Sequence, residues 1–331
     1  MIIAEIGQAH DGSIGMAHSY IEALKDTGVD AIKFQVHIAA AESSIHEPFR
    51  VPFSYADKSR MDYWKRIEFD ETQWVELIRH CESNKMEPIA SPFSLAAVDL
   101  LERVDIKKYK IGSGEVTNLL LLERVAQTGK PVIISSGMSS YEELDIAINF
   151  LQQKNIDTTI LQCTTAYPTA PEQWGLNMIA ALKQRYKLPT GFSDHSGNIY
   201  ACLAATALGA EVIEFHVVFD QEMFGPDSKS SIEVKKVKEL VTGITEIRVA
   251  LNNPIDKINN TSFDHLKNIF EKSLAVNKDL PKGHTITFAD LESKKPKGYG
   301  IDASCYKEVI GKVLVKDKKQ WDFLNEEDIE K

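Results

Sequence analysis

Short apolar runs alternate along the chain with longer stretches in which apolar residues recur every three or four positions. The runs IIAEIG (2–7), AIKFQV (31–36), EPIASPF (87–93), KYKIGSG (108–114), PVIISSG (131–137), TTILQCTTAY (158–167), PTGFSDH (189–195) and EVIEFHVV (211–218) predict β-strands. Nearly every one precedes a helical pattern, such as MAHSYIEALKDTG, DETQWVELIRHCESN, SYEELDIAINFLQQKN or NIYACLAATALG. Gly28, Gly129 and Gly209 stand where helix C-caps are expected. Eight βα units in about 250 residues predict an α/β fold, a (β/α)8 TIM barrel. A doubly wound sheet ranks lower, because no G-x-G-x-x-G opens the chain.

Two insertions interrupt the rhythm, at 37–69 after the second strand and at 219–231 after the eighth. Both follow strand C-termini, the face where barrel active sites lie. The first is rich in Phe, Tyr and Trp, which points to a structural role with partial cover of the site. Past residue 252 the periodicity changes. The expected organisation is a barrel over 1–252, a linker over 253–269 and a small β-rich domain over 270–331.

Strand parity exposes an anomaly. Val212, Glu214, His216 and Val218 share one face of the eighth strand, and Ile213, Phe215, Val217 and Phe219 share the other. The same alternation brings Lys33 together with Gln35, and Ser193 with His195, while Glu5 and Lys110 sit within other strands. Taken singly, a buried Lys is usually paired and a buried His hydrogen-bonded. Gathered in one barrel, so many ionisable groups are costly unless they pair or bind something.

The chemistry of these residue types narrows the options. His195 and His216, from neighbouring strands, suit a divalent transition metal, although parity alone leaves a hydrogen-bonded pair equally open. Asp194 and Asp227 are polar neighbours, and Asp227 would orient an imidazole. Lys33 and Lys110 would neutralise a phosphate or carboxylate. The Gly/Ser turns ISSGMSS (134–140, with Ser135 and Ser136) and IGSGE (111–115, with Ser113) add hydroxyls and backbone amides. Together they read as a site for a metal and a small phosphorylated acid.

Bulk properties exclude other classes. The 331 residues carry a formal net charge of −10, with 26% charged and 43% hydrophobic residues. This balance disfavours nucleic acid or an anionic membrane as the main partner. The N-terminus lacks a signal-peptide pattern, and no run of about 18 apolar residues appears. Cys81, Cys163, Cys202 and Cys305 form no CxxC pair, which fits a reducing, cytoplasmic setting.

The strand-end motifs IIAEIGQAHDGS, AIKFQVH, SPF, YKIGSGE, SSGM, CTTAYPT, GFSDHSG and GPD occur in order. This set resembles the N-acetylneuraminate (sialic acid) synthase family, which includes legionaminate and pseudaminate synthases. The tail SLAVNKDLPKGHTITFADLESKKPKGYGI is similar to that family's C-terminal antifreeze-like (SAF) domain. The resemblance spans almost the whole chain. It implies a metal-dependent condensation of phosphoenolpyruvate with an open-chain N-acyl-mannosamine-type sugar, giving a nonulosonic acid and phosphate. Matching positions for the metal, Mn2+ with Mg2+ or Co2+ as alternatives, are His195 and His216. Those for phosphoenolpyruvate are Lys33, Lys110, Ser113 and Ser135, with Ser136 adjacent. Glu115 matches the acid near the water, and Glu5, Gln35, Tyr167, Glu214 and Asp227 match positions around the sugar. The resemblance also implies a domain-swapped homodimer whose SAF domain closes the partner's site.

Two departures fall in the sugar half. Thr165 stands where the family often has Asn, and Lys295 where it often has an Arg reaching the N-acyl group. Lys keeps the charge without the planar fork. Two alternatives stay open: a synthase acting on a different or phosphorylated aldose, for which Arg50, Arg60 and Arg66 are candidates, and a non-catalytic sugar-binding homologue.

Overall fold

The computed structural model describes residues 1–51, 53–258 and 261–330. The chain divides into two units, Met1–Asn253 and Pro254–Lys331. The expected linker, 253–269, includes Asn259 and Asn260, which lie outside the described residues, as does Lys331 of the expected tail domain.

In the first unit, β1 (Ile2–Gly7), α1 (Ile14–Leu24), β2 (Ala31–Val36), α2 (Ala39–Glu42), α3 (Arg60–Ile67), α4 (Glu71–Ser83), β3 (Glu87–Pro92), α5 (Leu95–Arg103), β4 (Tyr109–Ile111), α6 (Leu119–Ala126), β5 (Val132–Ser135), α7 (Tyr141–Gln153), β6 (Thr158–Cys163), α8 (Asn177–Tyr186), β7 (Thr190–Asp194), α9 (Tyr200–Ala207), β8 (Ile213–Val218), β9 (Ile232–Glu233) and α10 (Val234–Asn252) follow in order. Strands β1 to β8 pair in parallel with their sequence neighbours, and β8 pairs back onto β1. This closure makes the eight-stranded (β/α)8 barrel. Local sequence sets the helix starts. Asp70 with Gln73, and Ser140 with Glu143, form capping boxes at α4 and α7. Ser13, Ser94 and Asn118 cap α1, α5 and α6. Three strands are shorter than their apolar runs by three residues or more. β4 stops at Ile111 because Ser113–Glu115 coils into a 3-10 turn, β5 at Ser135 and β6 at Cys163.

The barrel interior is graded. Ile3, Ala31, Ile89, Ile133, Leu161 and Val212 form an apolar floor. Gly191 completes it: a Cβ there would meet the Val212 carbonyl oxygen at 2.2 Å and Leu161 Cδ2 at 2.6 Å. Two residues further along the floor strands the inward positions become Glu5, Lys33, Ser91, Ser135, Cys163 and Glu214, all buried. The opposite strand faces carry Ile32, Phe34, Ile111, Ile134, Phe192 and Phe215 into the main core beneath the helices. The 37–69 insertion builds a small core of its own, with Ala39, Tyr63, Trp64 and Ile67 packed with Phe49 and Phe53.

The second unit holds α11 (Asp264–Phe270), an antiparallel pair of β10 (Ser273–Val276) and β11 (Leu291–Lys294), and α12 (Tyr306–Val309). Its core is Leu274, Val276, Leu280, Ile286, Val309, Leu314 and Leu324. Two buried carboxylates brace its turns: Asp290 lies 2.7 Å from Lys278 and 2.9 Å from His284, and Asp328 lies 2.7 Å from Lys318.

Candidate active site

A cavity of about 430 Å³ opens at the C-terminal end of the barrel strands, within the range typical of small-molecule sites. Register fills its base. Glu5 of β1 lies beside Lys33 of β2 and His216 of β8, and Ser193 of β7 lies beside Glu214. Lys33 Nζ is 2.8 Å from Glu5 Oε1 and 3.4 Å from Glu214 Oε1. Lys110 Nζ is 3.2 Å from the same Glu214 oxygen and donates to Ser135 Oγ at 2.7 Å. Two ammoniums and two carboxylates therefore share one buried patch.

The mutual field holds these charges in place. Burial pushes the Glu5 and Glu214 carboxyls up, but the neighbouring cations overcome it and hold both below the ordinary carboxylate range. Burial also opposes the Lys33 charge, yet Glu214 and Glu5 together raise it. Lys110 has one close carboxylate, and burial lowers it. Glu214 Oε2 is buried with no hydrogen-bond partner. An orphaned carboxylate oxygen in a cavity wall is a ready acceptor for a ligand hydroxyl.

The imidazoles of His195 and His216 face each other with centroids 5.3 Å apart. His195 Nδ1 lies 2.9 Å from the Thr164 carbonyl oxygen, so Nδ1–H donates there and Nε2 is the nitrogen whose proton an incoming ion would displace. His216 Nε2 lies 3.1 Å from Glu5 Oε2. Burial lowers His216, whereas His195 is pushed up to about 9: burial opposes that shift, but Cys163, 3.8 Å from Nδ1, and the Thr164 carbonyl outweigh it. Two imidazoles, one with its tautomer set by a carbonyl, suit a divalent first-row ion. Among the described residues no three or more His, Cys, Asp or Glu side chains are arranged to hold an ion unaided. Water or substrate oxygens would have to complete the shell.

The remaining walls come from loops. Ser113 Oγ accepts from the Gly137 amide at 3.0 Å, so the two Gly/Ser turns meet. Glu115 takes a 2.7 Å bond from Asn118 Nδ2, and burial pushes its carboxyl up. Tyr167 packs on His195 with centroids 4.2 Å apart, and the Arg50 guanidinium lies 4.1 Å above Tyr167. Arg50 Nη2 also reaches Asp227 Oδ1 at 2.6 Å, joining the two insertions.

Residues 20–256 match the NeuB family. The chain belongs to the NeuB family. The N,N'-diacetyllegionaminic acid synthase of Campylobacter jejuni is 36% identical, over 98% of this chain and 99% of that protein. The human N-acetylneuraminate-9-phosphate synthase is 32% identical, over 90% of this chain and 84% of its own. The crystal structure of N-acetylneuraminic acid (sialic acid) synthetase from Leptospira borgpetersenii, in complex with citrate, superposes with a TM-score of 0.71 at 29% identity, covering 80% of this chain and 90% of that one. This NeuB-family chain is an enzyme, as its synthase relatives are. None of its described helices is long and apolar enough to cross a membrane.

Of the residues expected from the sequence, Glu5, Lys33, Gln35, Lys110, Ser113, Glu115, Ser135, Tyr167, His195, Glu214, His216 and Asp227 all line this one cavity. Two do not. Ser136 turns its hydroxyl to the Leu161 carbonyl at 3.1 Å. Lys295 lies in the second unit, its Nζ 4.9 Å from the Phe270 ring centre. Arg50 and Arg60 line the cavity, whereas Arg66 is bound to Asp57 and Asp11. Sequence reasoning missed Ser91, Cys163 and His37, although parity held the signal: each lies two residues beyond an inward position of its own strand. Gln8, Glu42, Glu47 and Trp64 carried no such signal, because loop packing alone brings them in.

Proposed function

We propose that this NeuB-family enzyme condenses phosphoenolpyruvate with an open-chain N-acyl-hexosamine, releasing phosphate and a nonulosonic acid. The carrying observation is the convergence of Lys33, Lys110, four serine hydroxyls and the His195–His216 pair in one cavity. Its relatives, named as synthases of such acids, support the same reading.

Lys110, Ser113 and Ser135 suit the phosphate and carboxylate of phosphoenolpyruvate, with Lys33 balancing charge beside Glu5 and Glu214. His195 and His216 would hold a divalent ion, Mn2+ for preference, which when bound supplies Lewis-acid polarisation of the sugar aldehyde. Glu214 Oε2 and Gln35 orient the sugar hydroxyls. C3 of phosphoenolpyruvate then bonds to the aldehyde carbon, whose oxygen takes a proton. Water adds at C2, and Glu115, its carboxyl pushed up by burial, is placed to manage that water's proton. The C2–O bond breaks and phosphate leaves.

The second unit fits the part of a SAF domain by its sequence. It would close the site of a partner subunit in a domain-swapped homodimer and bring Lys295 to the acyl group. Sedimentation and a Lys295→Ala kinetic test of acceptor KM address that assignment.

The deciding assay is phosphate release from phosphoenolpyruvate with Mn2+ across N-acetylmannosamine, its 6-phosphate and 2,4-diacetamido-trideoxy hexoses. Release with one sugar, abolished by chelator, is the expected result. Phosphoenolpyruvate binding without release on any sugar would refute the condensation.

A further inference from the structure

Gln35 sits at a junction where the direction of one amide decides what Glu5 feels. Its Nε2 donates to Glu5 Oε1 at 2.8 Å, and Glu5 Oε2 in turn lies 3.1 Å from His216 Nε2. Turned over, the same amide would set its oxygen against a carboxylate oxygen, two acceptors in contact. Something must therefore hold the carbonyl end. Gln8 Nε2 and His37 Nε2 each lie 3.2 Å from Gln35 Oε1.

His37 is itself firmly placed. It is buried, with its ring between Trp64 (centroids 3.8 Å apart, planes 19°) and Phe93 (4.5 Å, 13°). Its other nitrogen, Nδ1, lies 2.7 Å from Glu42 Oε1. The Gln35 amide oxygen can only accept, so His37 Nε2 carries a proton and donates to it.

We propose that His37 is a positioning residue which, anchored by Glu42, fixes the direction of the Gln35 amide and through it the alignment of Glu5 and His216. The chain Glu42–His37–Gln35–Glu5–His216 ties the 37–69 insertion to the centre of the cavity. Trp64 and Glu42 of that insertion thereby set the cavity wall around Gln35 and Glu5.

Two measurements test this. Long-range 1H–15N spectra of full-length enzyme labelled with 15N-histidine read the proton at each ring nitrogen, with His37 assigned from the His37→Gln variant. A proton on Nε2 is expected. A bare Nε2 would mean a reversed Gln35 amide and would overturn the proposal. The second is a double-mutant cycle of His37→Leu with Gln35→Ala, read as kcat. Each single change is expected to cost about tenfold or more, and the pair no more than the larger single loss. His37→Gln, which keeps a donor towards Gln35, should recover most of the activity. Losses that multiply, or no recovery with His37→Gln, would overturn it. The kinetic arm rests on the proposed condensation. A wild-type enzyme that releases no phosphate would refute that reading, while the spectra still decide the relay.

Discussion

Lys110 is the sharpest probe of the anion end. It donates to Ser135 Oγ at 2.7 Å and faces Glu214 at 3.2 Å from a nearly inaccessible position. Lys110→Met keeps most of the stem and removes the charge. A hydrogen bond from a charged donor contributes about 2 kcal/mol, so phosphoenolpyruvate binding should weaken roughly thirtyfold. Acceptor KM should move less than about twofold, because the residues assigned to the sugar are untouched. Glu214 is not stranded, since Lys33 remains at 3.4 Å and Ser193 Oγ at 3.1 Å. The folding loss should therefore stay below the roughly 3–5 kcal/mol of a fully broken buried pair. The assay is initial-rate phosphate release with phosphoenolpyruvate titrated at saturating acceptor, beside a urea melt. An unchanged KM for phosphoenolpyruvate in a folded variant would refute the assignment of Lys110 and the charge argument behind it.

Other outcomes follow from the same geometry. His216→Ala should stay folded, bind less Mn2+ by elemental analysis and lose phosphate release; full activity in metal-stripped buffer would remove the two-histidine site. Gly191→Ala should destabilise by about 1–3 kcal/mol, because its Cβ would lie 2.2 Å from the Val212 carbonyl; an unmoved urea midpoint would contradict that packing. Asp290 is held below the ordinary carboxylate range: burial opposes this, but His284, Lys278 and Thr287 outweigh it. A depressed carboxyl adds stability above its unfolded value near about pH 4 and loses it as pH falls further. Asp290→Asn should thus destabilise the second unit at pH 7, with the gap to wild type narrowing as pH falls below about 4, read by thermal unfolding; a gap constant with pH would contradict the linkage.

Much of the site is legible in the chain alone, for a simple reason. Side chains alternate along a strand, so parity assigns Lys33, Gln35, Glu214 and His216 to the face opposite Phe34 and Phe215. The same rule, carried two residues further, reaches His37, Ser91 and Cys163. The apolar runs locate all eight strands, but not where β4, β5 and β6 end, because hydrogen bonding in the following turns, not hydrophobicity, stops the pairing.

Sequence by itself determined the βα rhythm, the helix caps and the inward polar residues, since each depends on neighbours within a few positions. Only the tertiary structure decided which of those residues meet. Barrel closure brings β8 onto β1 and so sets Glu5 between Lys33 and His216, residues far apart in the chain. Loop packing decided that Trp64, Glu42 and Arg50 join the cavity, that Arg66 is bound elsewhere and that Ser136 faces away. Those outcomes depend on shape complementarity between distant segments, which local periodicity does not carry.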